Sequence, residues 1–158
     1  MGINRGKQFE QLVKEQIEKL PNVSIDRLYD VTTGYINQSN ICDFIIYKKP
    51  NILYLECKAI HGNTLNFKSH IRQNQWEGLL SKSTYIAGAE AGILVWFIDL
   101  DKTLFLDIQY LDLLKSKGNK SFNINKDITI IPTIELSGKK KKVFFEYNMN
   151  KFIKDVIS

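Results

Sequence analysis

The chain has 158 residues, 22 lysines and arginines against 17 aspartates and glutamates, and a formal net charge of +5. Apolar residues make up 44% and charged residues 25%, ordinary values for a globular chain, which exclude disorder as the main state. The longest apolar runs are short, such as Ile93 to Ile98, no apolar stretch follows the basic residues Arg5 and Lys7, and the cysteines are only Cys42 and Cys57. A membrane span, a secretory signal and a disulfide framework are therefore not expected, which leaves one soluble intracellular domain.

In chain order, Asn4 caps a helix running to about Leu20, with Phe9, Leu12, Val13, Ile17 and Leu20 on one stripe and Pro21 as its stop. Ile25 to Tyr29 reads as a strand, and Val31 to Asn40, rich in Thr, Asn, Ser and Gly, as a loop. Ile41 to Tyr47 and Ile52 to Lys58 form a hairpin turned at Lys48-Lys49-Pro50-Asn51, followed by a polar turn over His61 to Thr64. Ser69 is expected to cap a second helix from about His70 to Lys82. The strand Ile93–Ile98 is apolar throughout, so burial on both faces is expected. A turn at Asp99-Leu100-Asp101-Lys102 and a return strand from Thr103 to Ile108 follow, then a short helix from Gln109 to Lys117. Further strands are expected within Ser121–Pro132 and at Val143–Tyr147, and a closing helix over Lys151–Val156. This order predicts an α/β (α+β) domain, with helices around one sheet.

The basic excess is concentrated late. From Ser137 to Ser158 there are six lysines against Glu146 and Asp155. Lys139–Lys142 reads as a solvated turn after Gly138 that can still touch phosphates.

Chemistry is concentrated in Asp43-Phe44 and, further on, Glu56-Cys57-Lys58. Residues two apart on a strand share a face, so Glu56 and Lys58 point one way, and Leu53, Leu55 and Cys57 the other. The hairpin places Asp43 roughly opposite Glu56 or Lys58. Two adjacent carboxylates repel, and a divalent cation removes the conflict. Such an ion activates a bound water and withdraws charge from a phosphate, with a lysine beside it to orient the water; the Cys57 carbonyl is positioned to complete the shell. A lone Glu-x-Lys on a strand is ordinarily an exposed pair. What shifts the reading is Asp43 in an otherwise apolar strand, since charged groups are seldom buried unpaired. Gln75 lies on the apolar stripe of the second helix and needs a polar partner there. Glu10 stands at the edge of the first helix's apolar face, where a boundary carboxylate and a site residue are equally good readings.

Taken in order, Glu10, Asp43, Glu56-Cys57-Lys58 and Gln75 resemble the PD-(D/E)xK nuclease superfamily, and more closely the RecU-type Holliday junction resolvases and their phage-borne relatives. The resemblance is carried by Asn4-Arg5-Gly6-Lys7-Gln8-Phe9-Glu10, Asn40-Ile41-Cys42-Asp43-Phe44, Leu55-Glu56-Cys57-Lys58, Leu65-Asn66-Phe67 and Ile71-Arg72-Gln73-Asn74-Gln75. It spans roughly Asn4 to Leu106. It implies a mixed central sheet flanked by helices with a restriction-endonuclease-like core. It also implies a homodimer, and Mg2+- or Mn2+-dependent cleavage of DNA at four-way junctions in a bacterial or phage-infected cytoplasm. Asp43 and Glu56 would be metal ligands, Lys58 would position the attacking water, Gln75 would support the site or contact DNA, and Glu10 would hold a second metal or organise the first. In one respect the chain departs from the pattern: RecU-type enzymes carry a longer projecting insertion before the catalytic Asp, where Val31–Asn40 is short.

Around this site, Lys68 and Arg72 near the second helix's start, with His70, are candidate DNA contacts, and Tyr35 in the short loop could also reach DNA. His61 is a weaker candidate on the same side. Asp99 and Asp101 read as turn residues, Trp76 and Trp96 as packing aromatics, and the two cysteines as buried apolar groups.

Overall fold

The computed structural model describes residues 2, 4–33, 36–142 and 145–157, with only the backbone described over 31–38. From the N-terminus, helix α1 (Arg5–Glu18) leads into strands β1 (Ser24–Arg27), β2 (Val31–Thr33), β3 (Ile36–Gln38), β4 (Phe44–Lys48), β5 (Asn51–Ile60) and β6 (Thr64–Asn66). Helices α2 (Phe67–His70) and α3 (Gln73–Tyr85) then precede β7 (Ala89–Phe97), β8 (Lys102–Asp107), helix α4 (Ile108–Ser116) and β9 (Ser121–Asn123). The chain ends with β10 (Ile134–Glu135), β11 (Gly138–Lys140), β12 (Phe145–Tyr147) and helix α5 (Met149–Ile157).

The architecture is α/β, a mixed central sheet between helices. Its order is β1-β4-β5-β7-β8-β10, with β5 and β7 parallel and the other neighbours antiparallel. The parallel pair requires a crossover, which α2 and α3 supply. On one face, Phe9, Val13 and Ile17 of α1 and Phe152, Ile153 and Ile157 of α5 cover Phe44, Ile46, Leu53, Leu55 and Leu94. On the other, Leu79 of α3 and Leu111 and Leu114 of α4 cover Ile60, Ile93, Val95, Leu104 and Leu106. β7 is thus buried from both sides, as its unbroken apolar run predicts. Among the described residues, no helix is long and apolar enough to cross a membrane.

The side chain of Asn4 accepts from the Lys7 N–H and starts α1 as expected. Four other segments differ from expectation. Val31–Asn40 is not a plain loop, because β2 and β3 pair antiparallel within it. Helix His70–Lys82 is broken instead of continuous. Asn66, not Ser69, caps the four-residue α2 by accepting from the Lys68 and Ser69 N–H groups. Ile71 then runs extended to bury its side chain, and Arg72 becomes the cap of α3. The turn expected over His61–Thr64 ends one residue earlier, since Thr64 opens β6, which pairs with β9. Lys139 and Lys140 lie in β11, paired with β12, and Lys140 and Lys141 form ion pairs with Asp101 and Glu146. Of the strand expected at Val143–Tyr147, residues 143 and 144 lie outside the described residues.

Candidate active site

The register of β4 against β5 places the two central carboxylates. Phe44 pairs with Leu55, and the Asp43 N–H donates to the Leu55 carbonyl at 3.1 Å. Asp43 thus sits just before β4, tied to Leu55, with its carboxylate close enough to Glu56 for the two to repel. Glu56 points to the α3 side, where Gln75 meets it, away from Leu55 and Cys57, which pack toward α1. One Asp43 oxygen, Oδ2, accepts the Cys57 N–H at 2.9 Å. The Cys57 carbonyl leaves the strand on the same edge as that N–H, because the two groups of a strand residue project together.

Glu56 is buried, at 4% exposure. Its Oε2 accepts Lys58 Nζ at 2.8 Å and Gln75 Nε2 at 2.8 Å. Its Oε1 is also buried and has no hydrogen-bond partner. Gln75 is held in turn: its Oε1 accepts the Arg72 N–H at 3.2 Å at the start of α3. One turn on, Gly78 lets Ile41, from the segment before β4, press against the helix. A Cβ at position 78 would lie 2.2 Å from Ile41 Cγ2. That close approach sets α3 over the carboxylates and brings Gln75 within reach of Glu56.

On the α1 side, Arg27 enters the cluster from β1, where it pairs with Phe44. Its Nη1 donates to Glu10 Oε2 at 2.6 Å, its Nη2 stands 3.9 Å from Asp43 Oδ1, and its guanidinium lies over the Phe44 ring at 5.2 Å. Sequence reading missed Arg27. The available signal was alternation, since Ile25 and Arg27 share a strand face and one of them is charged. Glu10 thus meets the other groups through Arg27.

Three carboxylates (Glu10, Asp43 and Glu56) face two cations (Arg27 and Lys58) in a largely desolvated space. Burial, and then repulsion from Glu56, push the Asp43 carboxyl up to about 7, against the pull of the Cys57 N–H and Arg27. Burial and Asp43 likewise raise Glu10, opposed by Arg27. The negative excess and the orphaned Glu56 oxygen both fit a divalent cation. Among the described residues no three His, Cys, Asp or Glu side chains converge as a metal cage. The groups that could hold such an ion are the Asp43 and Glu56 carboxylates and the Cys57 carbonyl, a sparse set of the kind that Mg2+ completes with solvent and substrate oxygens.

The candidate DNA contacts fall around this cluster. Lys68 is exposed on α2. Arg72 is exposed, with Nη1 3.2 Å from Ser39 Oγ and 3.6 Å from Asp30 Oδ2. His70 Nδ1 accepts the Asn66 N–H, and burial followed by nearby Lys58 lowers its pKa. Tyr35 lies outside the described residues. His61 is drawn to Asp99 at 3.0 Å, and the same carboxylate accepts the Gly62 N–H. Burial pushes the Cys42 thiol up to about 12 and holds the Cys57 thiol well above its usual range, so both behave as apolar groups. Trp76 is buried and donates to Asp112, and Trp96 packs on Phe9.

No family model and no curated protein matches the chain. Among solved structures it is similar to a Holliday junction resolvase, Hjc of the archaeal hyperthermophile Archaeoglobus fulgidus. The identity is 18% and the TM-score 0.48, over 66% of this chain and 78% of that one.

Proposed function

We propose that the chain is a metal-dependent DNA endonuclease, one nuclease domain over residues 1–158, that hydrolyses phosphodiester bonds at four-way junctions in recombination and repair and acts as a homodimer. The observation that carries the reading is the buried Glu56 carboxylate with one unpartnered oxygen, beside Asp43 and 2.8 Å from the Lys58 ammonium. The ordered resemblance of Glu10, Asp43, Glu56, Lys58 and Gln75 to the RecU-type pattern supports the junction as substrate.

In this reading Asp43, Glu56 and the Cys57 carbonyl hold a Mg2+ or Mn2+ ion, which supplies Lewis-acid charge at the scissile phosphate and lowers the pKa of a coordinated water. Lys58 orients the attacking water and balances charge on the phosphate. Gln75 fixes the Glu56 rotamer so that Oε1 stays free. Arg27 favours the charged form of Glu10 against burial and tempers the field at Asp43.

The test is a Mg2+ titration of cleavage of a labelled four-way junction by wild type and Asp43→Ala, with circular dichroism as the fold control. Wild type is expected to cut paired strands and the variant to lose activity. Cutting by the folded variant at the wild-type rate refutes the site. A matched linear duplex cut as fast as the junction would keep the nuclease and remove the junction selectivity, a result the short segment Val31–Asn40 makes worth testing.

A further inference from the structure

A cleft of about 870 Å3 opens between α2, the start of α3, α4 and the segment before β9, and the site carboxylates do not line it. Cations from four separate segments converge on it: Lys68 of α2, Arg72 at the cap of α3, Lys115 of α4, and Lys120 just before β9. No carboxylate lines it, and Lys68, Lys115 and Lys120 form no ion pair among the described residues. With Arg72 3.6 Å from Asp30, the three lysines around this concavity are the uncompensated charges; they repel one another, and a polyanion relieves that. Buried Phe67 and Trp76 form its apolar wall. The Lys115 ammonium is already placed, 4.6 Å over the Trp76 ring.

We propose that this cleft binds one unpaired DNA strand beside the scissile position. The inference deepens the nuclease reading and rests on it for the identity of the polymer. Size argues for a single strand. The major groove of B-DNA alone is about 12 Å wide, and a stiff duplex of that scale meets the rim of such a cleft without entering it. A flexible strand can enter, with phosphates to the lysines and sugar and base edges to the apolar wall, the combination that single-strand grooves use. The cleft is also wired to the chemistry. Arg72 lines it, the Arg72 N–H donates to Gln75, and Gln75 donates to Glu56.

The experiment is fluorescence anisotropy in EDTA, where nothing is cut, with a labelled 20-nucleotide single strand and a duplex of equal length as probes. Wild type is compared with Lys115→Ala/Lys120→Ala, and with Lys120→Ala alone should the double variant melt early. Losing two phosphate contacts makes the single-strand salt slope shallower by about 1.4 and weakens binding about 25-fold at 0.1 M salt, with about fivefold for the single variant. Duplex affinity is expected to stay within about twofold, because the duplex contacts only the rim. Equal losses for both probes, or no loss for either, overturn the proposal. The readout does not involve cleavage, so the two readings can fail separately. If wild type cuts no DNA but binds single strands through Lys115 and Lys120, the nuclease falls and the groove stands. If it cuts junctions while the variants bind single strands like wild type, the groove alone falls.

Discussion

Replacing Asp43 by Asn keeps the side-chain shape and an oxygen for the Cys57 N–H, but removes the charge that burial and Glu56 oppose. In the folded chain this carboxyl titrates near 7, against 3.8 for the ordinary group. Between those values the folded state holds a proton that the unfolded state has released, so stability falls as pH rises through that window. At about 1.4 kcal/mol per pH unit, the rise from pH 5 to about 7 removes up to about 3 kcal/mol from wild type through Asp43, a loss that Asp43→Asn escapes. In a chain of this size that corresponds to a melting-temperature advantage for the variant that grows by about 6–12 °C between pH 5 and pH 8. The assay is thermal unfolding at fixed ionic strength, without divalent cations and then with Mg2+. Saturating cation, at about 100 times its Kd, adds about 2.7 kcal/mol to wild type and erases most of the variant's advantage. A melting difference independent of pH, or an equal Mg2+ effect on both proteins, would refute the claim that Asp43 and Glu56 form an electrostatically frustrated cation site.

Other substitutions probe the supports of that site. Gln75→Leu leaves the Arg72 N–H without an acceptor and Glu56 with Lys58 as its one remaining donor, so a loss of about 1–3 kcal/mol in urea unfolding and a weaker apparent Mg2+ affinity in single-turnover cleavage are expected. Arg27→Met strands Glu10 beside Asp43, and a double-mutant cycle with Glu10→Gln should return a coupling of about 1–3 kcal/mol; a coupling near zero would mean the 2.6 Å contact is incidental. Gly78→Ala drives a methyl into Ile41, at an expected cost of about 1–3 kcal/mol that Ile41→Ala partly relieves.

The pairing of faces was legible in the sequence because a strand's period is two. Once Leu53, Leu55 and Cys57 are assigned to a core, Glu56 and Lys58 must point the other way. Gln75 was legible for a related reason, as a polar residue on an apolar stripe needs a buried partner, and Glu56 is that partner. Arg27 was not, because its role depends on β1 pairing with β4 across the intervening segment that carries β2 and β3. The break between α2 and α3 was hidden for a different cause. Nothing local forbids a helix through Ile71; its burial in the core beside Phe67 and Trp76 overrides local preference. The cationic cleft was equally invisible, since Lys115 and Lys120 join Lys68 and Arg72 only after β9 pairs with β6.

The geometry of the carboxylates is inherited from packing that has nothing chemical in it. A slip of one residue between β4 and β5 would carry Glu56 into the α1 core and turn Cys57 toward α3, and the whole site would be lost. What prevents the slip is the alternation Leu53, Leu55, Cys57 against Phe44 and Ile46, all buried under α1 and α5. A slip would expose those side chains, at about 1.5–3 kcal/mol for each large one. That total far exceeds the few kcal/mol by which Asp43 and Glu56 repel in the absence of a cation. The apolar face therefore holds the two carboxylates together against their own repulsion, and a bound cation would turn that stored repulsion into affinity.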